Sequence, residues 1–547
     1  MPLIALAHRK PKKAKAATAT TTRPPVLASY THSGFLTRHK RIWLTLLILA
    51  AISYGFLFAL GTTYILVQLA IPLVAVAILV IALLRETGKT YPRVQEWALF
   101  AFLIGLLCWP DYIAIALPGM PWITVLRLTT IPLAAVFLLN LSQSSVFRGE
   151  LSAILGAAPA VTKFLLLTTV VALVSIAFSA QTGFSANKFV VFLLSCVVVF
   201  FVSAFVFSKP GRVIKLSRLI WAVTVLLCLV AFQEKRHEVI PWAEHIPGFL
   251  KIDPLTLNQI LSSKARAATG AYRVQSKFTT PLSFAEFLAL AVPFIIHAMV
   301  TARGWIVRLA ALGTIVLIVY TIILTDSRLG FVGLFLAILI YLLAWGALRW
   351  KRDPSSMFGP AVVMSYPALF TSFIVATFFV GRLRALVWGT GAQASSTEGR
   401  TDQLAMGLPM VLKHPWGYGL GRAAETLGYR DEDLLTIDSY YLSVALELGI
   451  IGFIVYYSIF LSAIWKGGRV VLSQYDDNNA LLIPVLIALI NFVVIKSILS
   501  QQENHPFAFL LLGVSVGLTY LIKRGADQAT APSASLRASS GGHEAKR

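Results

Sequence analysis

The residues of this chain whose types could do chemistry are three arginines, a few isolated acids and a glycine-punctuated turn. Arg273 sits in YRVQSKFTTP, Arg328 in TDSRLG and Arg400 in GRTDQL. A guanidinium keeps its charge, and its planar fork binds phosphate or carboxylate oxygens in pairs, so the three could form an anion site. They could equally snorkel to an interface or pair with Asp326 or Asp402, and spacing leaves both readings open. Asp438 stands at the start of a long apolar run, where an acid can cap a helix through backbone N–H groups or serve as a general base. Glu447 follows nine residues later, about 13 Å along a helix. A carboxylate at that depth in an apolar segment suggests function, with hydrogen bonding to the following GIIG turn as the plainer use. Glu286 is a comparable case in the apolar run after Arg273. Between Arg400 and Asp438 lies KHPWGYGLG, in which His414-Pro415 makes a rigid turn. Gly417, Gly419 and Gly421 then give a flexible backbone able to approach a ligand closely.

These residues are set among apolar stretches long enough to cross a bilayer. The chain has 547 residues, 57% hydrophobic and only 13% charged, with mean hydropathy +0.77. A soluble protein would carry about a quarter charged residues. We therefore expect an all-α, polytopic helical membrane protein, since helices satisfy their own backbone in lipid. About fourteen spans of about 20 residues are expected. They are 42–60, 63–84, 96–117, 122–141, 163–181, 188–207, 216–233, 281–301, 306–325, 329–348, 360–380, 439–463, 480–498 and 505–522.

Charge orients this scheme. With the N-terminus inside, each short inside loop is basic: Arg85 and Lys89, Arg148 and Lys163, Lys209 to Arg218, Arg303 and Arg308, Arg349 to Arg352, and Lys466 and Arg469. That is the positive-inside pattern. Residues 1–41 read as a disordered basic cytoplasmic tail and 523–547 as a second cytoplasmic tail, leaving 42–522 as the membrane domain. Two longer loops, 234–280 and 381–438, fall outside and carry Arg273, Arg400 and Asp438, while Arg328 lies at the outer mouth of the span starting at 329.

The net charge of +23 is explained by those loops, and no RNA-binding or zinc-knuckle motif points to nucleic acid. No GxxxxGK[ST] phosphate loop is present, nor an HExxH or CxxC pattern, so neither a nucleotide-driven pump nor a metal site or other cofactor is expected. Cys108, Cys196 and Cys228 lie in apolar spans and read as small core residues.

Taken in order, TDSRLGF, GRTDQL, KHPWGYGLG and DSYYLSVALELGIIG resemble the bacterial O-antigen ligase and polymerase superfamily of integral membrane glycosyltransferases. The Arg-x-x-x-Leu element is met at Arg400 and Leu404. The family's His, then Asn/Ser/Gln, nine residues and Gly-x-x-Gly is met from Ser439 to Gly449 and Gly452, with Asp438 in place of the His. The resemblance runs over about residues 270–465. It implies a GT-C-like fold and a metal-independent transferase that uses an undecaprenyl-diphosphate-linked oligosaccharide donor and a glycan acceptor. The periplasmic face of the inner membrane is the implied location, with membrane lipid as surroundings and a chain-length regulator among the partners such an enzyme takes. Arg328, Arg400 and Asp438 become the implied catalytic residues, and Arg273, His414, Tyr440 and Glu447 the implied substrate-binding ones. The missing His favours a polysaccharide polymerase over an O-antigen ligase. A transporter of lipid-linked sugars is the competing class, expected to show paired broken helices near the midplane.

Overall fold

Runs of Leu, Val, Ile, Phe and Ala with no interior charge become helices here, because only a helix closes every backbone hydrogen bond inside a segment that meets lipid. The computed structural model describes residues 86–115, 123–243, 245–252, 272–379, 394–431, 434–473 and 480–530, with isolated positions elsewhere. From Val74 onward the chain is one compact unit.

The first half contributes α1 (Pro92–Cys108), α2 (Val125–Gln143), the short α3 (Ser145–Gly156), α4 (Pro159–Ser175), α5 (Thr182–Phe207) and α6 (Arg212–His237). Within α5, Leu193–Val198 forms a π-helical turn. The second half contributes α7 (Pro281–Thr301), α8 (Trp305–Thr325), α9 (Arg328–Arg352), α10 (Phe358–Phe379), α11 (Ala394–Lys413), α12 (Ala423–Leu427), α13 (Tyr440–Ser473), α14 (Leu482–Lys496) and α15 (His505–Thr530). Among the described residues ten helices are long and apolar enough to cross a membrane, and Leu482–Lys496 is a shorter apolar one. The protein is a helical polytopic membrane protein.

Most of the expected spans are met by these helices. The spans 42–60 and 63–84 and both tails fall wholly or largely outside the described residues. The span expected at 96–117 is shorter: α1 ends at Cys108, because Pro110 cannot continue a helix and biases Trp109 to extended backbone. Residues 113–115 instead form strand β1, pairing antiparallel with β2 (Ile123–Thr124) and β3 (Lys251–Ile252). α13 runs on to Ser473, beyond the expected 463, and α15 to Thr530.

α7 and α15 are predominantly apolar and are the most enclosed of the membrane-crossing helices described, with 78% and 89% of their apolar windows buried. Around α15 stand α5, α13 and α14. Its Gly513 and Gly517 allow backbone-to-backbone approach: a Cβ at Gly513 would lie 2.4 Å from Phe200 O, and one at Gly517 would lie 2.6 Å from Ala204 O. This is small-residue packing of the kind that joins helices in membranes.

The contacts separate two ends. At the basic end, Arg212 pairs with Glu96, Lys209 with Glu150 and Arg148 with Glu86. There too Lys523 donates to Ala157 O and Lys351 to Leu472 O. At the opposite end, Lys277 donates to Leu106 O, Glu234 receives the backbone of Gln275 and Ser276, and Ser500 reaches Ile437 O. The spanning helices alternate between these ends, with the short α3 at the basic end and α11 and α12 at the other, so Arg273, Arg328, Arg400 and Asp438 all belong to the second.

Candidate functional site

Arg400 and Gln403 lie on the face of α11 that meets the start of α13. The repeat continues through Gly407, where a Cβ would come within 2.7 Å of Leu442, and Val411, which is buried. With helical spacing this places four positions of one stripe against α13. Arg400 Nε lies 3.5 Å from Asp438 Oδ2, and Gln403 Oε1 accepts the Asp438 backbone N–H at 2.8 Å. One face of α11 therefore grips both the side chain and the backbone of Asp438. The sequence offered Asp402, its near neighbour, as one alternative partner for Arg400; the fold supplies Asp438. Leu404, the apolar member of the Arg-x-x-x-Leu element, points away and is exposed. α13 opens at Tyr440, so Asp438 stands two residues before its first turn.

The glycine-rich loop has a structural partner that sequence did not reveal. α13 is broken at Gly449, whose φ of 72° and ψ of −178° lie in a region open essentially to glycine. The break frees the carbonyls of Leu446 and Glu447 and the N–H of Ile450. Tyr418 N–H donates to Leu446 O at 2.8 Å and Gly419 N–H to Glu447 O at 3.1 Å, while Ile450 N–H donates to Pro415 O at 3.2 Å. A Cβ on Gly449 would lie 1.9 Å from Pro415 O, and one on Gly417 would lie 2.3 Å from Glu447 O. The two glycine motifs are thus halves of one backbone joint.

Glu447 is buried in that joint. Its carboxylate accepts from Ser443 Oγ at 3.3 Å and lies against the backbone N–H groups of Gly421 and Ala423, with Lys188 as the nearby cation. Tyr440 is buried too, its ring 4.4 Å from that of His505 and 5.8 Å from that of Tyr456. His414 is exposed and packs edge-on against Tyr418 at 4.7 Å.

Arg273 and Arg328 meet at the turn between α8 and α9. Asp326 closes α8 in the left-handed region at φ 46°, and Arg328 opens α9. Arg273 Nε donates to Thr325 O at 2.9 Å and its Nη2 to Asp326 O at 3.5 Å, a cation on a helix C-terminus where the macrodipole favours it. Arg273 itself is held by its own loop, which Glu234 pins through Gln275 N–H at 3.0 Å, Ser276 N–H at 2.6 Å and the Tyr272 hydroxyl at 3.0 Å.

The connection 497–504 joins the two arginine pairs. Ser500 Oγ donates to Ile437 O at 2.5 Å, next to Asp438. Glu503 accepts from Thr279 N–H at 3.0 Å, Asn504 donates to Ser283 O at 2.9 Å, and Leu499 packs with Leu329, next to Arg328. Behind this connection Lys496 Nζ is 2.8 Å from Glu286 Oε1, both fully buried, and Asn504 Nδ2 adds a bond to Glu286 Oε2 at 3.0 Å. Sequence reasoning singled out Glu286 but not Lys496, which is 210 residues away. Burial pushes the Glu503 carboxyl up and the Lys277 ammonium down, each partly opposed by the other's charge. Among the described residues no three His, Cys, Asp or Glu side chains gather to hold a metal ion.

The arrangement is that of a polytopic helical membrane protein with a cationic, carboxylate-bearing mouth at one end of its bundle. The family described as O-Antigen ligase is matched over residues 313–457, a finding that supports the O-antigen ligase/polymerase superfamily. Its members are glycosyltransferase-like enzymes that use lipid-linked glycans and acceptors. No curated protein matches the chain. The matched segment carries Arg328, Arg400, His414, Asp438, Tyr440 and Glu447, and Arg273 lies before it.

Proposed function

We propose that the chain is a polysaccharide polymerase joining undecaprenyl-diphosphate-linked oligosaccharide repeat units, as in exopolysaccharide or O-antigen synthesis, at the periplasmic face of a bacterial inner membrane. The observation that carries this reading is the Arg400–Asp438 pair at the mouth of α13, inside the segment that matches the family. An acceptor hydroxyl attacks the anomeric carbon of the donor glycan. The bond from that carbon to the diphosphate oxygen breaks, its electron pair leaves with the lipid diphosphate, and the hydroxyl proton passes to Asp438. Arg400 and Arg328 neutralise the charge that grows on the leaving group, the oxyanion-type contribution to catalysis.

The ion pair gives the steps an order. A diphosphate offers Arg400 more negative charge than one carboxylate, so the arriving donor draws the guanidinium toward itself. Asp438 is then released to accept a proton. Arg273 and His414 border the donor's approach, and Tyr440 and Glu447 act from behind by holding the first turns of α13 and the loop. The scheme uses no metal and no nucleotide.

Asp438 at the position where the family signature carries His supports chain extension over ligation to lipid A core. The transporter reading predicts a broken helix with groups left to coordinate cargo. Here Leu446 O, Glu447 O and Ile450 N–H are already engaged by the loop, which favours a structural use of the break.

Purified protein in vesicles, given lipid-linked oligosaccharide without metal or nucleotide, should release longer glycans on the same lipid. Transfer of the glycan to lipid A core alone would make it a ligase, and movement of the lipid without new bonds a transporter. Single cysteines at Glu398 and Thr401, both exposed, should react with an impermeant reagent from the periplasmic side of intact cells.

A further inference from the structure

The exposed side of α11 changes character along its length. In its first half the exposed residues are polar: Glu398, Thr401 and Asp402. In its second half they are Leu404, Ala405, Met406, Leu408, Pro409 and Leu412, with Lys413 and His414 at the helix end and Trp416 beyond it, and Leu412 and Trp416 are 70% and 60% exposed. The opposite side, Gln403, Gly407 and Val411, is already buried against α13. A helix in water would turn polar residues outward along its whole length.

The backbone joint fixes the height of this apolar stripe. Pro415 to Gly419 are bonded to Leu446, Glu447 and Ile450 of α13. The basic end of α13 is marked by Trp465 and Lys466, and about 20 residues cross the hydrocarbon. Counted back from Lys466, that length ends at Leu446, the residue to which Tyr418 is bonded. From there α13 exposes Ile450, Ile451, Ile454, Leu461 and Trp465, the lipid-facing side of a membrane-spanning helix. Trp416 adjoins the top of that strip through the bond between Pro415 O and Ile450 N–H.

We infer that the second half of α11, with Trp416, lies in the headgroup–hydrocarbon boundary of the bilayer, and that the partner of its exposed apolar side is lipid. Its geometry is that of an interfacial amphipathic helix, whose apolar face sinks about 5–10 Å into that boundary. Arg400 is then at the wet end of a helix whose other end, about 18 Å away, is in lipid. A diphosphate carried on a lipid chain can meet its guanidinium from the edge of the bilayer. The placement rests on the membrane fold and not on the transferase reading, and it holds or fails whatever the enzyme's product is.

The test is collision of spin labels with dissolved oxygen, which concentrates in lipid, and with a water-soluble nickel chelate. Labels on Leu408→Cys, Leu412→Cys and Asp402→Cys are compared with Ile454→Cys in the full chain in vesicles, with Cys108, Cys196 and Cys228 replaced by Ala. Oxygen should dominate at positions 408 and 412 as at 454, and nickel at 402. Nickel dominance at 408 and 412 would put the stripe in water. Shielding from both reagents would mean that protein covers it, and either result overturns the inference. The unmodified protein gives a second reading through hydroxyl-radical footprinting in vesicles. Met406 and Trp416 should escape oxidation there despite their exposure, and ready oxidation of both would refute the placement.

Discussion

Arg400 Nε and Asp438 Oδ2 lie 3.5 Å apart across the junction of α11 and α13. Both side chains are more than a third exposed, so the pair adds little to stability by itself. Its weight is in geometry, since Gln403 holds the Asp438 backbone at the same time and fixes where the carboxylate can be.

Arg400→Lys should lower kcat/KM for glycan extension by about ten- to hundredfold, the equivalent of the ~1.5–3 kcal/mol carried by a hydrogen bond to a charged group. Asp438→Asn preserves shape and the Gln403 bond but cannot take a proton, and a lost general base costs about 10²–10⁴ in rate. The double variant decides what Asp438 does. If it acts only by orienting Arg400, the double variant is no slower than the worse single one; separate roles make the losses multiply. Activity of Arg400→Lys equal to wild type would remove Arg400 from the donor site.

Much of the fold could be read from sequence because hydropathy and loop charge are local properties. The alternation of ends holds for the membrane-spanning helices, with α3, α11 and α12 lying at one end or the other. The site was less legible. Asp438 and Arg400 were each singled out, but their pairing depends on Gln403, Gly407 and Val411 turning one face of α11 to α13, and the loop 381–438 gave no cue that it held a packed helix. Lys496 was not singled out within its apolar run, because its role as partner to Glu286 comes from two helices meeting in the core. The glycine loop at Gly417 and the GIIG turn at Gly449 read as separate features because the contact that explains both is between backbones, which leave no mark in side-chain chemistry.

That joint makes its own prediction. Gly449→Ala forces an L-residue into backbone normally reserved for glycine, at about 1–3 kcal/mol, and drives its Cβ into Pro415 O. Gly417→Ala meets Glu447 O in the same way. Both should lower the melting temperature in detergent and abolish activity. Gly468→Ala, whose Cβ would meet nothing within 4 Å, should be neutral or gain up to about 1 kcal/mol. Equal stability of the Gly449 and Gly468 variants would show that the loop does not depend on the break.

Arg273 and Arg328 should separate in their effects. Arg273 bonds two carbonyls at the end of α8, so Arg273→Gln should lower stability by about 1–3 kcal/mol, the range for hydrogen bonds to a charged donor. Its activity should fall in step with folded protein. Arg328→Gln should lose far more activity than folded protein, since its proposed work is on the leaving diphosphate. Melting curves beside kcat/KM for each variant check this, and the reverse pattern would exchange the two assignments.

The buried pair behind the site gives the sharpest energetic test. Lys496 and Glu286 are both without solvent contact, 2.8 Å apart, and Asn504 shares the same carboxylate. Bringing two ions into an apolar core costs several kcal/mol each, and their attraction returns that cost only while both are present. Glu286→Gln therefore leaves an ammonium without its counter-ion and should destabilise by about 3–5 kcal/mol. Lys496→Met leaves a carboxylate in the same position and should cost a similar amount. The double variant removes both charges, and it should be more stable than either single one. Activity is expected to follow a different course. The ammonium of Lys496 also holds Gln501 O, and Asn504 ties the same connection to Glu286. The segment that carries Ser500 to Ile437 is thereby anchored. With the ions gone, the core is restored but this anchor is not, so the double variant should regain its melting temperature while kcat stays low. Recovery of both together would show that the pair serves packing alone and has no part in placing Asp438.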